Sequence, residues 1–167
     1  MWKVPDNYDA LKQDALKFAH SEAKDALQST IAIANNVRNR SYTLLAAAFA
    51  FLGYTATYLD MGQFDAEQIV LCCGTVAAIA AIVILVTKAA PNKIMHPGAE
   101  PKELITPEYS RLEEKQLDYM LLNRLECLQE QVAYNDKVNG RGVGAIAIAI
   151  WIMAGSILLY IISYLLR

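Results

Sequence analysis

The sequence predicts an all-α integral membrane protein with three transmembrane helices, two of them extended into long cytosolic helices that form a helical stalk. Three observations predict it. Uncharged apolar runs at 41–59, 69–87 and 142–166 come close to or exceed the roughly 20 apolar residues a helix needs to cross hydrocarbon. The first and third runs follow long charged segments of helical period, and only glycines interrupt the second junction. Lysine and arginine gather at one end of each run, whereas acids occupy the turn between the first two, as the positive-inside rule requires.

Composition points the same way. Of 167 residues 55% are apolar, and they fall in blocks rather than spreading as in a soluble core. The net charge of −2 offers no basic face for a nucleic acid duplex. Cys72 and Cys73 are neighbours on one helix and point in different directions, and Cys127 lies on a charged helix. All three read as free packing residues without a redox role.

The opening MWKVPDNYD lacks the apolar core of a secretory signal. Pro5 and Asp6 open a cytosolic helix over 6–40. Tyr8, Leu11, Ala15 and Phe18, then Leu27, Ile31 and Ala34, make one apolar stripe on a helix otherwise bearing Lys12, Asp14, Lys17, Glu22, Lys24 and Asp25. Such a helix packs one face on a partner and keeps the other in water.

Transmembrane helix 1 spans 41–59, between Arg38 and Arg40 at its entry and Asp60, Asp65 and Glu67 after its exit. Gly62 is its expected terminator. Asp65 and Gln68 have the spacing of a capping box for transmembrane helix 2, over 69–87. The short turn makes these two a hairpin. Residues 91–106 form a proline-rich cytosolic connector. Thr106, Pro107 and Glu108 then start a cytosolic helix over 107–139. Along it Leu121, Leu125, Leu128, Val132 and Asn135 make a short coiled-coil seam interrupted by a polar residue, and transmembrane helix 3 follows at 142–166. Arg38, Arg40, Lys88, Lys93, Lys137 and Arg141 mark the cytoplasmic side. The expected location is the bacterial inner (plasma) membrane, with the N-terminus cytoplasmic and the C-terminus outside.

The residues carry little chemistry. His20 and His96 are far apart, and no metal-ligand spacing, nucleophile elbow or phosphate-cradling loop occurs. No catalytic residue, metal or cofactor is expected, and the protein is not read as an enzyme. The spans lack the ionisable residues that proton relays and charge-ring filters use. That argues against a charge-coupled carrier and leaves an apolar-gated pore lined by Thr43, Thr55, Thr75 or Ser156.

Two residue sets stand out. Gly140 and Gly144, Ala145 and Ala149, and Gly74 and Ala78 repeat a small residue at i, i+4, which lets helix backbones approach closely in lipid, within one chain or between copies. The glycines near 142 also read as a hinge. Arg38, Arg40 and Asn39, with Arg124, Asn135, Lys137 and Arg141, gather before the first and third spans. With Asn35, Asn36, Asn123 and Asn139 they read as a polar belt or the wall of a ligand pocket.

In order of parts the chain resembles the Pycsar-type effectors of bacterial anti-phage immunity. HPGAEP in the connector and LLNRLECLQEQVAYNDKVNGRG before the last span carry the comparison. Members of that family often have an Asp-x-Lys element near the first span, where this chain reads NNVRNRSYTLL. The resemblance implies a membrane-disrupting effector, triggered by a cyclic nucleotide and assembled from several copies. The expected function is thus an oligomeric inner-membrane effector or channel-like protein whose cytosolic helices sense a nucleotide signal or a partner. The alternative is a non-catalytic membrane scaffold or sensor subunit that recruits a cytosolic partner protein. Either reading has the lipid bilayer as a partner and homo-oligomerisation as its expected state.

Overall fold

The computed structural model describes residues 13–59, 65–89, 93–96 and 116–166. Among these the protein is all helical: α1 (Gln13–Ala56), α2 (Ala66–Ile84) prolonged by a π-helical turn (Leu85–Ala89), and α3 (Gln116–Leu166). The expected helix starts at Asp6 and Thr106, the terminator Gly62 and most of the connector lie outside the described residues. α3 runs unbroken through Gly140, Gly142 and Gly144.

Two compact units make up the chain. The first comprises Met1–Ala34 and Lys93–Val138, the second Asn35–Asn92 and Asn139–Arg167.

In the first unit α1 and α3 run parallel. His20 feels the charge of Arg124 and Thr30 bonds to Asn135, so both chain numbers rise together. Leu16, Leu27, Thr30 and Ala34 are buried on α1, and Leu122, Leu125, Leu128 and Asn135 on α3. The seam expected on α3 is therefore present, with Leu121 and Val132 half-buried at its edge. On α1 the early stripe is turned by one position. Leu16 is 3% exposed, whereas Phe18 is 68% exposed and Ala15 faces out. The phase set by Leu27, Thr30 and Ala34, extended back along the same helix, fixes this outcome.

In the second unit the same two helices again run parallel, since Val37 meets Gly142 and Tyr54 meets Tyr160. Val37, Ser41, Ala48 and Thr55 are buried on α1, and Asn139, Gly142, Ile146, Ala149, Met153, Ser156 and Ser163 on α3. Each set steps by three and four residues or their sums, the spacing of knobs-into-holes pairing. α2 contributes Leu71, Gly74, Ala78, Ala81 and Leu85 in the same rhythm.

Continued regularly, that rhythm would next turn Lys88 inward. Instead the chain widens into the π turn, and Ala89 is buried while Lys88 is exposed. One extra residue in the turn thus keeps an ammonium out of an apolar core, where an unpaired charge costs several kcal/mol (roughly).

α2 begins as its sequence predicts. The Asp65 carboxylate accepts the Gln68 backbone N–H at 2.9 Å, satisfying one of the donors left free at a helix start. The Gln68 side chain does not complete a reciprocal box. It donates to the Tyr58 carbonyl at 3.3 Å and ties α2 to the turn that ends α1.

Ala66–Ala89 and Gln116–Leu165 are each long and apolar enough to cross a membrane. The run at 41–59 behaves differently. α1 closes at Ala56, with Thr57 and Tyr58 donating backwards to the carbonyls of Tyr54 and Thr55. Its uncharged helical part, 41–56, is about 24 Å long at 1.5 Å per residue and includes five hydroxyl side chains and a glycine.

Candidate functional site

In the first unit the side chain of Asn135 is 0% exposed and fully hydrogen-bonded. Its oxygen accepts the Met95 N–H at 2.9 Å. Its nitrogen donates to the Met95 carbonyl at 2.9 Å and to the Thr30 hydroxyl at 3.1 Å. The Thr30 hydroxyl donates in turn to the Leu27 carbonyl at 2.8 Å. The amide of Asn135 therefore grips one residue of the connector by both backbone groups, as a neighbouring strand would, while Thr30 anchors it to α1. Both amide protons are used, so the network meets the requirement that a buried polar group be hydrogen-bonded.

Around this clamp the other candidates separate. Asn139 is buried in the second unit. Arg124 is half-buried, whereas Arg38, Arg40, Asn39, Lys137 and Arg141 are exposed. Asn35 accepts from Arg38 Nη2 at 2.6 Å, and Asn35, Asn36 and Asn123 face outwards. The group that meets Asn135 is thus a threonine and a backbone, not a second asparagine. Thr30 carried a usable signal, because it sits on the phase of Leu27 and Ala34.

Burial pushes the His20 imidazole below its ordinary pKa of 6.5, and the nearby cations Arg124 and Lys24 push it the same way. It lies half-buried on the flank of the α1–α3 pair. His96, in the short described piece of connector, is exposed. Among the described residues no three histidine, cysteine or acidic side chains gather to hold a metal.

In the second unit the small residues divide by face. Gly74, Ala78, Ala145 and Ala149 are buried. A Cβ on Gly74 would lie 3.3 Å from the Ser156 carbonyl oxygen and 3.5 Å from Leu159 Cβ, so α2 and α3 meet almost backbone to backbone. Gly140 and Gly144 are exposed, and a Cβ on either would meet nothing within 4 Å. The glycine that the fold needs lies between them. A Cβ on Gly142 would stand 2.8 Å from Val37 Cγ1, a distance the stiff β-branched valine cannot relieve by rotation.

The hydroxyls of Thr43, Thr55, Thr75 and Ser156, the expected pore lining, all bond to their own helices. Thr43 donates to Asn39 O, Thr55 to Leu52 O, Thr75 to Leu71 O and Ser156 to Ile152 O. At the far end of the same unit Phe51, Tyr54, Tyr58 and Tyr160 cluster. The Tyr54 and Tyr160 hydroxyls are 3.0 Å apart, and the rings of Tyr54 and Tyr160 pack edge to face at 5.5 Å.

The chain matches no known family model, no characterised protein and no solved structure.

Proposed function

We propose that the chain is a three-span bacterial inner-membrane protein that works as an oligomeric effector or channel-like assembly, permeabilising the membrane when its cytosolic helices sense a nucleotide signal or a partner. One observation carries the membrane part. The second unit is apolar inside and out, and the hydroxyls it does carry are turned inward. Ser41, Thr55, Ser156 and Ser163 are turned inward, while Phe49, Val76, Val83, Ile148, Trp151 and Leu158 are exposed. Each buried hydroxyl donates to a carbonyl of its own helix, so the interior needs no water. The broad apolar exterior calls for an apolar solvent.

The ends of the unit supply a scale. Arg38, Arg40, Lys88 and Arg141 lie toward one end and the tyrosine cluster toward the other. From Arg141 to Tyr160 along α3 the rise is about 28 Å, close to the roughly 30 Å of bilayer hydrocarbon. Basic residues at the cytoplasmic face and tyrosines at the other interface are the usual anchors. They also support counting the shorter run on α1 as a span, because Tyr54 and Tyr58 extend it to the interface.

Parallel pairing of α1 with α3 in each unit supports a sensing role. A ligand or partner that alters the pairing in the first unit acts on the same two helices that pack in the second. The open face at Gly140 and Gly144 supports contact between copies, since each helical glycine costs about 1 kcal/mol relative to alanine and nothing among the described residues repays it there.

The test is reconstitution. Full-length protein in liposomes loaded with a self-quenching dye is exposed to a panel of cyclic nucleotides, while native mass spectrometry in mild detergent counts subunits. Dye release on one nucleotide by an oligomer is the expected result. A monomer that leaves the vesicles tight under every nucleotide would overturn the effector reading, and a cytosolic protein co-purifying with it would favour the scaffold.

A further inference from the structure

We infer that His20 and Lys24 of α1 and Arg124 of α3 form a binding site for a phosphate-bearing anion. The assignment deepens the reading of the cytosolic helices as sensors and rests on it.

His20 and Lys24 are one turn apart on a single face of α1. Arg124 stands on α3 at the level of His20, in the register that Thr30 and Asn135 fix for this unit, and near enough for its charge to act on the imidazole. Helix cations usually have a carboxylate three or four residues away to offset them. None does here. The flanking positions are Leu16, Lys17, Ser21, Ala23, Leu27 and Gln28 around the α1 pair, and Met120, Leu121, Cys127 and Leu128 around Arg124.

The acids nearby lie on other faces. Glu22 and Asp25 stand two and five residues from His20 and are exposed, and Glu126 stands two residues from Arg124 and is exposed. Asp118 is at the start of α3, six residues before Arg124. Lys17 is accounted for separately. It donates to Gln13 Oε1 at 3.5 Å and has Asp14 three residues before it.

In a chain with more acids than bases, two cations and an imidazole thus share a helix–helix flank with no carboxylate at helix-neighbour spacing among the described residues. Two of them, His20 and Arg124, are half-buried. Like charges brought together in this way repel and loosen the pair, and the natural compensation is an anion. A phosphate group suits the set. The planar arginine fork takes two of its oxygens, and lysine and a protonated imidazole take the third and the bridging charge. Both cations and the burial hold His20 less basic than usual. A bound phosphate reverses that balance, so binding takes up a proton from solvent at His20. The same chemistry is offered by a soluble phosphate and by a lipid headgroup, and the experiment separates the two.

The experiment uses full-length protein in detergent with labelled histidine, and inorganic pyrophosphate as probe. Calorimetry reads the affinity and NMR reads the His20 imidazole. Saturable binding is expected, with a rise in the His20 pKa on saturation. Arg124→Gln and Lys24→Gln should each weaken binding about tenfold or more, the scale of one charge-assisted hydrogen bond. Arg124→Lys should recover part of the loss. Wild-type affinity in both glutamine variants, or no saturation by roughly 10 mM, would overturn the site, as would a His20 signal that pyrophosphate leaves in place. Given the pyrophosphate shift, the same shift with nanodiscs of acidic phospholipid assigns the phosphate to a lipid headgroup, and its absence there to a soluble source. Dye release in the liposome assay is scored separately. Binding without release leaves the site and removes the effector reading, and release with no pyrophosphate binding does the reverse.

Discussion

Asn135 and Met95 exchange a pair of hydrogen bonds, amide oxygen to N–H and amide nitrogen to carbonyl, both at 2.9 Å. The bonded ring they close holds the connector against α3 without using the methionine side chain, which is 42% exposed. Side-chain identity at 95 is therefore free, whereas the amide at 135 is not.

Replacing Asn135 with Ala or Leu takes the partner from the Met95 N–H and the Met95 carbonyl, while the Thr30 hydroxyl keeps its bond to the Leu27 carbonyl. Each buried group left without a partner costs on the order of 1–3 kcal/mol. We expect Asn135→Leu to lose about 2–4 kcal/mol, read as a fall in midpoint on thermal unfolding in detergent. Hydrogen exchange at the Met95 amide should speed up, and Met95→Leu should change neither measurement.

Gly142→Ala and Gly144→Ala are chemically identical changes with opposite expected signs. At 142 the new methyl enters contact distance of Val37 Cγ1, so α1 and α3 must part, at about 1–3 kcal/mol. At 144 the methyl meets open space and removes a helical glycine, a gain of about 1 kcal/mol for the single chain. If that face joins copies, Gly144→Ala should instead lower the subunit count in native mass spectrometry.

Tyr160→Phe removes the hydroxyl contact with Tyr54 but leaves the ring contacts with Phe51, Tyr54 and Tyr58. A loss of about 0.5–1.5 kcal/mol is expected. Tyr160→Ala takes away the rings as well and should cost more. Thermal unfolding of the two variants side by side separates the hydroxyl from the ring.

His20 makes stability depend on pH. Its folded pKa is lowered by burial and by the charges of Arg124 and Lys24, so the unfolded chain binds the proton more readily. The contribution of His20 is complete above its ordinary value of 6.5 and is lost as pH falls through the lower folded value. Thermal midpoints should therefore drop on acidification below about pH 6.5, and less steeply in His20→Gln.

The helical class, the Asp65 cap and the Leu125–Leu128–Asn135 seam were legible because each depends on local spacing. The phase of α1 near Phe18 was not. Ala15 and Phe18 form as good a stripe as Leu16 and Ala19, and only packing downstream at Leu27 and Thr30 decides between them. Which glycine packs within the chain was hidden for a related reason. The spacing of Gly140 and Gly144 marks a helix face that permits close approach, but both faces of this segment are apolar and small, and the partner's position at Val37 selects Gly142. The π turn leaves no sequence signal of its own. It exists because Lys88 falls where the core would otherwise have received it.

The three–four rhythm along α1 and α3 has a bearing on how this chain tolerates changes of length. Losing or gaining one residue between Gly142 and Ala149, within the second unit, would swing the rest of α3 by about 100°. Ala149, Met153 and Ser156 would then leave the interior that they share with α1. Adding a whole heptad at the same place restores the facing set. Variation in this stretch is thus quantised: single substitutions or blocks of seven keep the two helices in step, and any smaller slip trades the inside of the bundle for its outside.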